Sequence, residues 1–110
     1  ELNATAHPSL VVGLTCLVNN FGFPYLATLG EEMALLPGGG AIGVWAASGL
    51  SVNAYAEVLG EKFMGALGGE PPQRLGDIIL YAIDEYAGQS ADPGLVDQYV
   101  LFGDPAVILK

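Results

Sequence analysis

The apolar positions of the chain change period several times. Ser9 to Leu17 (SLVVGLTCL) is a near-continuous apolar run of strand length. Such runs suit a strand buried on both faces of a parallel sheet. Asn19 to Pro24 (NNFGFP) reads as a loop from its Asn, Gly and Pro content. Thr28-Leu29-Gly30-Glu31 fits a capping box, in which the Thr28 hydroxyl accepts from the third amide and Glu31 reaches back. The helix it opens runs to about Leu36 and is stopped by Pro37 and Gly38-Gly39-Gly40. Ala41 to Ala47 (AIGVWAA) is a second buried strand. Ser48-Gly49-Leu50-Ser51 is a turn, and Ser51 is the expected N-cap of a helix from about Val52 to Leu67. That helix carries Val52, Tyr55, Ala56, Leu59, Phe63, Ala66 and Leu67 on one side. After the break at Gly68 to Pro72, Leu75, Ile78, Ile79, Ala82, Ile83 and Tyr86 give the clearest helical period, over about Arg74 to Ala87. Gly88 to Gly94 is loop. Tyr99 to Gly103 and Ala106 to Leu109 flank Asp104-Pro105 as a final strand or two short ones.

The order β-α-β-α-α-β predicts an α/β fold, with a parallel sheet and helices on both faces. Three or four strands make that sheet thin. At 110 residues the chain allows one small domain or part of one. Hydrophobic residues make up 52% of it and charged residues only 14%, which excludes disorder; either the apolar faces pack well or some of them meet a partner. No stretch of about 18 apolar residues runs free of Gly, Pro or charge, so no membrane span is expected. Three basic residues against 12 acidic ones give a net charge of −9, which argues against nucleic acid as a partner, since that needs a cationic face. No basic stretch followed by an apolar run marks a signal at the N-terminus.

Cys16, the single cysteine, is the informative residue. It falls at the C-terminal end of the first apolar run, and ligands of open α/β sheets bind beyond that end of the strands. A thiol placed there is either a nucleophile or a small core residue. The sole histidine, His7, is nine positions earlier. Along an extended strand that is about 30 Å, so His7 is not its proton acceptor. The remaining polar residues fit structural roles. Glu31 and Glu32 suit a helix N-terminus, Asp104-Pro105 a turn, and Trp45 the core. Gly38-Gly39-Gly40 follows a helix and enters a strand, the reverse of a phosphate loop. Glu70, Asp92 and Asp97 lack the periodic oxygens of a calcium loop. Neither a metal nor a cofactor is expected.

Cys16 with Asn19-Asn20-Phe21 and Pro24, then LGEEM, GGGAIGVWAAS and the closing QYVLFGDPAVIL, resembles the second half of gingipain-type cysteine peptidases, of the caspase-like clan. The resemblance covers most of residues 9–109. It implies that Cys16 aligns with the nucleophile and that its own N–H is half of the oxyanion hole. It also implies that Ser48, Gly49, Leu50 and Ser51 form a wall of the substrate cleft. Asn53 stands about where the family has an aromatic pocket residue, so side-chain specificity does not carry over. The family's catalytic histidine lies upstream of this strand. The resemblance therefore implies a C-terminal part of a caspase-like peptidase domain, an incomplete half of its three-layer fold, partnered by an upstream half that carries the histidine, and acting on peptide or protein outside the cell or at its surface. Three other readings stand beside it. One is a non-catalytic caspase-like module that binds a partner, and another is a sortase-like transpeptidase of bacterial secretion. The third is a small flavodoxin-like ligand-binding domain, for which CLVNNFGF is too bulky a phosphate loop.

Overall fold

The computed structural model describes residues 8–109 apart from Gly39, Glu70, Pro72, Ser90 and Ala91. His7, Glu70 and Gly39, weighed above, lie outside the described residues. The elements in order are β1 (Ser9–Gly13), α1 (Leu29–Leu35), β2 (Ala41–Ala47), α2 (Asn53–Ala66), β3 (Gln73–Arg74), α3 (Leu75–Ala87), α4 (Leu95–Gln98), β4 (Tyr99–Gly103) and β5 (Ile108–Leu109). The fold is α/β, as the alternation of patterns predicts.

β2 is the middle strand of a three-stranded sheet ordered β1-β2-β4. Its residues alternate between two buried faces. Gly43, Trp45 and Ala47 face α2 and α3. Trp45 is fully buried there, as its place in an apolar strand predicts, with ring centroids 5.1 Å from both Phe63 and Tyr99. Leu59 and Phe63 of α2 and Leu75, Ile78, Ala82 and Tyr86 of α3 complete this core. Each large apolar side chain buried in this way contributes about 1.5–3 kcal/mol. Val44 and Ala46 face the other way, toward α1 and the loop after β1, where Phe21 meets Phe102 edge-on at 6.1 Å. Helices thus cover both faces, α1 on one and the α2–α3 pair on the other.

Several expectations change. The sheet is mixed: β1 runs parallel to β2, with Gly13 opposite Ala46, but β4 is antiparallel, with Tyr99 opposite Ala47. The reason is parity. One helix between β1 and β2 returns the chain to the starting end. Two helices between β2 and β4 bring it back to the end where β2 finishes. α2 descends from that end, and α3 begins with Leu75 against Gly43 and climbs again. The unforeseen turn of helix α4 then leads straight into β4. β1 stops at Gly13 rather than continuing to Leu17. It is also only partly buried, because among the described residues it pairs with β2 alone. The C-terminal segment is two strands in different sheets, since β5 leaves to pair with β3. At the corner between them Asp104 Oδ1 accepts from Ala106 N–H at 2.8 Å, the turn role expected. Pro105 O and Val107 O accept the first two amides of α3, Gly76 N–H at 2.9 Å and Leu75 N–H at 2.7 Å. These satisfy donors that a helix start leaves open.

The capping box forms as predicted. Thr28 Oγ1 accepts from Glu31 N–H at 3.3 Å, and Glu31 Oε2 accepts from Thr28 N–H at 2.7 Å. In the first turn of α1, Gly30 N–H donates to Val18 O at 3.0 Å. A Cβ on Gly30 would enter the carboxamide of Asn19. Gly30→Ala is therefore expected to destabilise the chain by about 1–3 kcal/mol. Gly65→Ala, at an exposed helical position with open space around a Cβ, should instead stabilise it by up to about 1 kcal/mol. Urea unfolding of the two variants checks both signs.

Candidate active site

The thiol lies just beyond the end of β1, where the chain reverses. Leu17 adopts φ 64°, a left-handed conformation that costs a side-chain-bearing residue about 1–2 kcal/mol. The reversal lays residues 17–19 back along the segment leaving β2. Leu17 N–H donates to Gly49 O at 3.1 Å and Asn19 N–H to Ala47 O at 3.0 Å. The descending order of these partners is antiparallel, so Cys16 sits in a turn and not on a strand.

Three side chains hold this turn. Asn19 is fully buried, and its Nδ2 donates to Val44 O at 3.1 Å and to Val100 O at 2.8 Å, tying the turn to β2 and β4 together. Tyr99 reaches from β4 past β2 and donates its hydroxyl to Gly13 O at 3.1 Å, fixing the end of β1. Ser48 donates both its N–H, at 2.7 Å, and its hydroxyl, at 2.9 Å, to Gln98 O, which anchors the opposing segment to the end of α4. Asn19 and Tyr99 escaped the sequence reading as site residues. The only signal for Asn19 was a polar residue three positions after the cysteine.

Cys16 Sγ is half-buried and touches one residue polar atom by polar atom. The thiol donates to Ser51 O at 3.0 Å and accepts from Ser51 N–H at 3.2 Å and Ser51 Oγ at 3.6 Å. The Ser51 N–H holds the thiol below the ordinary thiol range, helped by the Ser51 hydroxyl and opposed by partial desolvation. Burial pushes the Tyr99 phenol up to about 12, with the nearby Cys16 adding to it. The Cys16 N–H also lies toward its own sulfur and adds a small lowering of the thiol. Leu17, Leu50 and Val52 are exposed around the thiol and give it an apolar rim.

Of the segment Ser48 to Ser51, the structure brings Ser51 onto the Cys16 sulfur and Gly49 onto the neighbouring Leu17 amide, while Ser48 binds Gln98. Ser51 is not the N-cap, however. Val52 holds that position and has no polar side-chain atom to cap with, and the Ser51 hydroxyl is turned to the sulfur. Asn53 is exposed at the start of α2. Glu31 is spent in the capping box, and no group of three His, Cys, Asp or Glu able to hold a metal occurs among the described residues. Nor is any helix among them long and apolar enough to cross a membrane.

The sequence matches the family model described as peptidase family C25 over residues 1–110, its whole length, which bears out the resemblance to gingipain-type cysteine peptidases. Among curated proteins and among solved structures nothing matches.

Two titrations follow from this geometry. The rate of Cys16 alkylation by iodoacetamide should rise with pH around a midpoint below that of a free thiol. Tyr99 titrates higher in the folded chain than when unfolded, so its contribution to stability is present below about pH 10 and lost as pH rises through about 12. Denaturant melts across that window should show the loss, and Tyr99→Phe should lack this component.

Proposed function

The chain belongs to peptidase family C25, and on that premise we propose that Cys16 is the nucleophile of a cysteine endopeptidase whose proton-transferring histidine is supplied by an upstream half of the same domain. The observation that carries this reading is the thiol itself. It is partly accessible and bound by the backbone and hydroxyl of Ser51 on the segment opposite.

In this reading the Cys16 sulfur gives its proton to the histidine and attacks the scissile carbonyl carbon. The new C–S bond pushes the π electrons onto oxygen. That oxyanion accepts the Cys16 N–H and a second donor from the upstream half. Collapse expels the amine, which takes the proton from the histidine, and water then hydrolyses the thioester. Ser48 to Ser51 line one side of the cleft, with Leu50, 77% exposed, available to substrate.

Two features support an outside contribution. The only histidine in the sequence precedes β1, whereas Cys16 follows it. Among the described residues the outer edge of β1 has no strand partner, a template on which a companion strand can add. A strand added there in parallel would end beside Cys16, completing a caspase-like arrangement of the reactive centre.

The 110-residue chain by itself is expected to show no Cys16-dependent peptide turnover. Joined to the upstream half, it should turn over peptide, and Cys16→Ala should then lower kcat/KM by at least about a thousandfold. Turnover by the isolated chain would overturn the divided site. A Cys16 that resists alkylation in the joined protein would mark a non-catalytic module instead. Product masses in the presence of an added amine separate hydrolysis from transpeptidation.

A further inference from the structure

We infer that Ser51 is a positioning residue for the Cys16 nucleophile, gripping the sulfur through its N–H, its C=O and its hydroxyl so that the sulfur holds one place whether or not it carries its proton. The inference rests on the proposal that Cys16 is the nucleophile, and it gives Ser51 a role toward the thiol in addition to its place in the cleft wall.

The three contacts divide by protonation state. A neutral thiol has one proton to give, and Ser51 O receives it at 3.0 Å. A thiolate has none and only accepts, and the Ser51 N–H and hydroxyl stand at 3.2 and 3.6 Å to serve it. Both sets belong to one residue, so loss of the proton requires no swing of the sulfur. Ser51 is itself held. Two residues before it, Gly49 O accepts the amide of Leu17, the residue after the cysteine. Two residues after it, α2 begins with no acidic side chain in its first turn and no side-chain cap, so the positive end of this 14-residue helix is not neutralised locally. The titratable group facing the sulfur from β4 is Tyr99, which stays neutral below about pH 12. The serine thus stands one residue before the cap position and spends its hydroxyl on the cysteine.

The test is the pH profile of Cys16 alkylation by iodoacetamide in the full 110-residue chain, read beside its 1H–15N spectrum. Ser51→Ala should slow alkylation about threefold at pH 7, leave the high-pH plateau in place and move the midpoint upward. Ser51→Thr should restore the wild-type profile, and the isosteric Ser51→Val should not. In the wild-type chain the Ser51 amide resonance should move with the thiol midpoint, and Cys16→Ala should abolish that movement. A flat Ser51 resonance through the midpoint, or superimposable profiles for Thr and Val at position 51, would overturn the inference without needing Ser51→Ala to fold. These readouts require no turnover. Ser51-dependent alkylation in a joined protein that cleaves nothing upholds the grip and removes the peptidase, whereas cleavage with a flat Ser51 resonance does the reverse.

Discussion

The buried carboxamide of Asn19 is the constraint on which the other features of this end of the molecule depend. A carboxamide taken out of water needs its donors satisfied, and here both go to backbone carbonyls, one on β2 and one on β4. That requirement pulls the chain down against the sheet within six residues of the end of β1. The left-handed backbone at Leu17 follows, because the chain must reverse in that space. The position of Cys16 follows from the reversal, and so does the glycine at position 30, since the carboxamide fills the volume a Cβ would need. Asn19 therefore couples two strands and a helix start through one side chain.

The thiol's surroundings are unusual for how little charge they use. With 15 ionisable Lys, Arg, Asp and Glu residues in the whole sequence, none is needed to hold the sulfur's proton loosely. Backbone and hydroxyl donors do this work, in a place where partial burial would otherwise favour the neutral thiol. Dipoles fixed by a sheet margin and a helix start cost no reorganisation when charge develops, which is the property a nucleophile and an oxyanion site both require.

Among the described residues the sheet is covered on its faces and unpaired at its margins. Both faces of β2 are buried, so its core is complete within the described residues. β1 is different. Its sequence is as apolar as that of β2, yet it stays half exposed. Among the described residues this apolar run lies at an edge, where its outer backbone groups have no strand partner.

Much was legible in the residues themselves. The capping box at Thr28 formed because both of its partners are local. The period of Leu75 to Tyr86 fixed α3 and its buried side, and the apolar run around Trp45 fixed the central strand. The family was legible too, through the cysteine segment and the Phe-Gly-Asp-Pro corner read together. The direction of β4, the end of β1 at Gly13 and the partner of Ser51 were not. Each depends on contacts between residues far apart in sequence: Asn19 with Val100, Leu17 with Gly49, Cys16 with Ser51. Local propensity can say that Ser51 caps a helix, because serine before a helix is a good cap. Only the folded chain brings a thiol within 3.2 Å of its amide and gives the hydroxyl something else to bind.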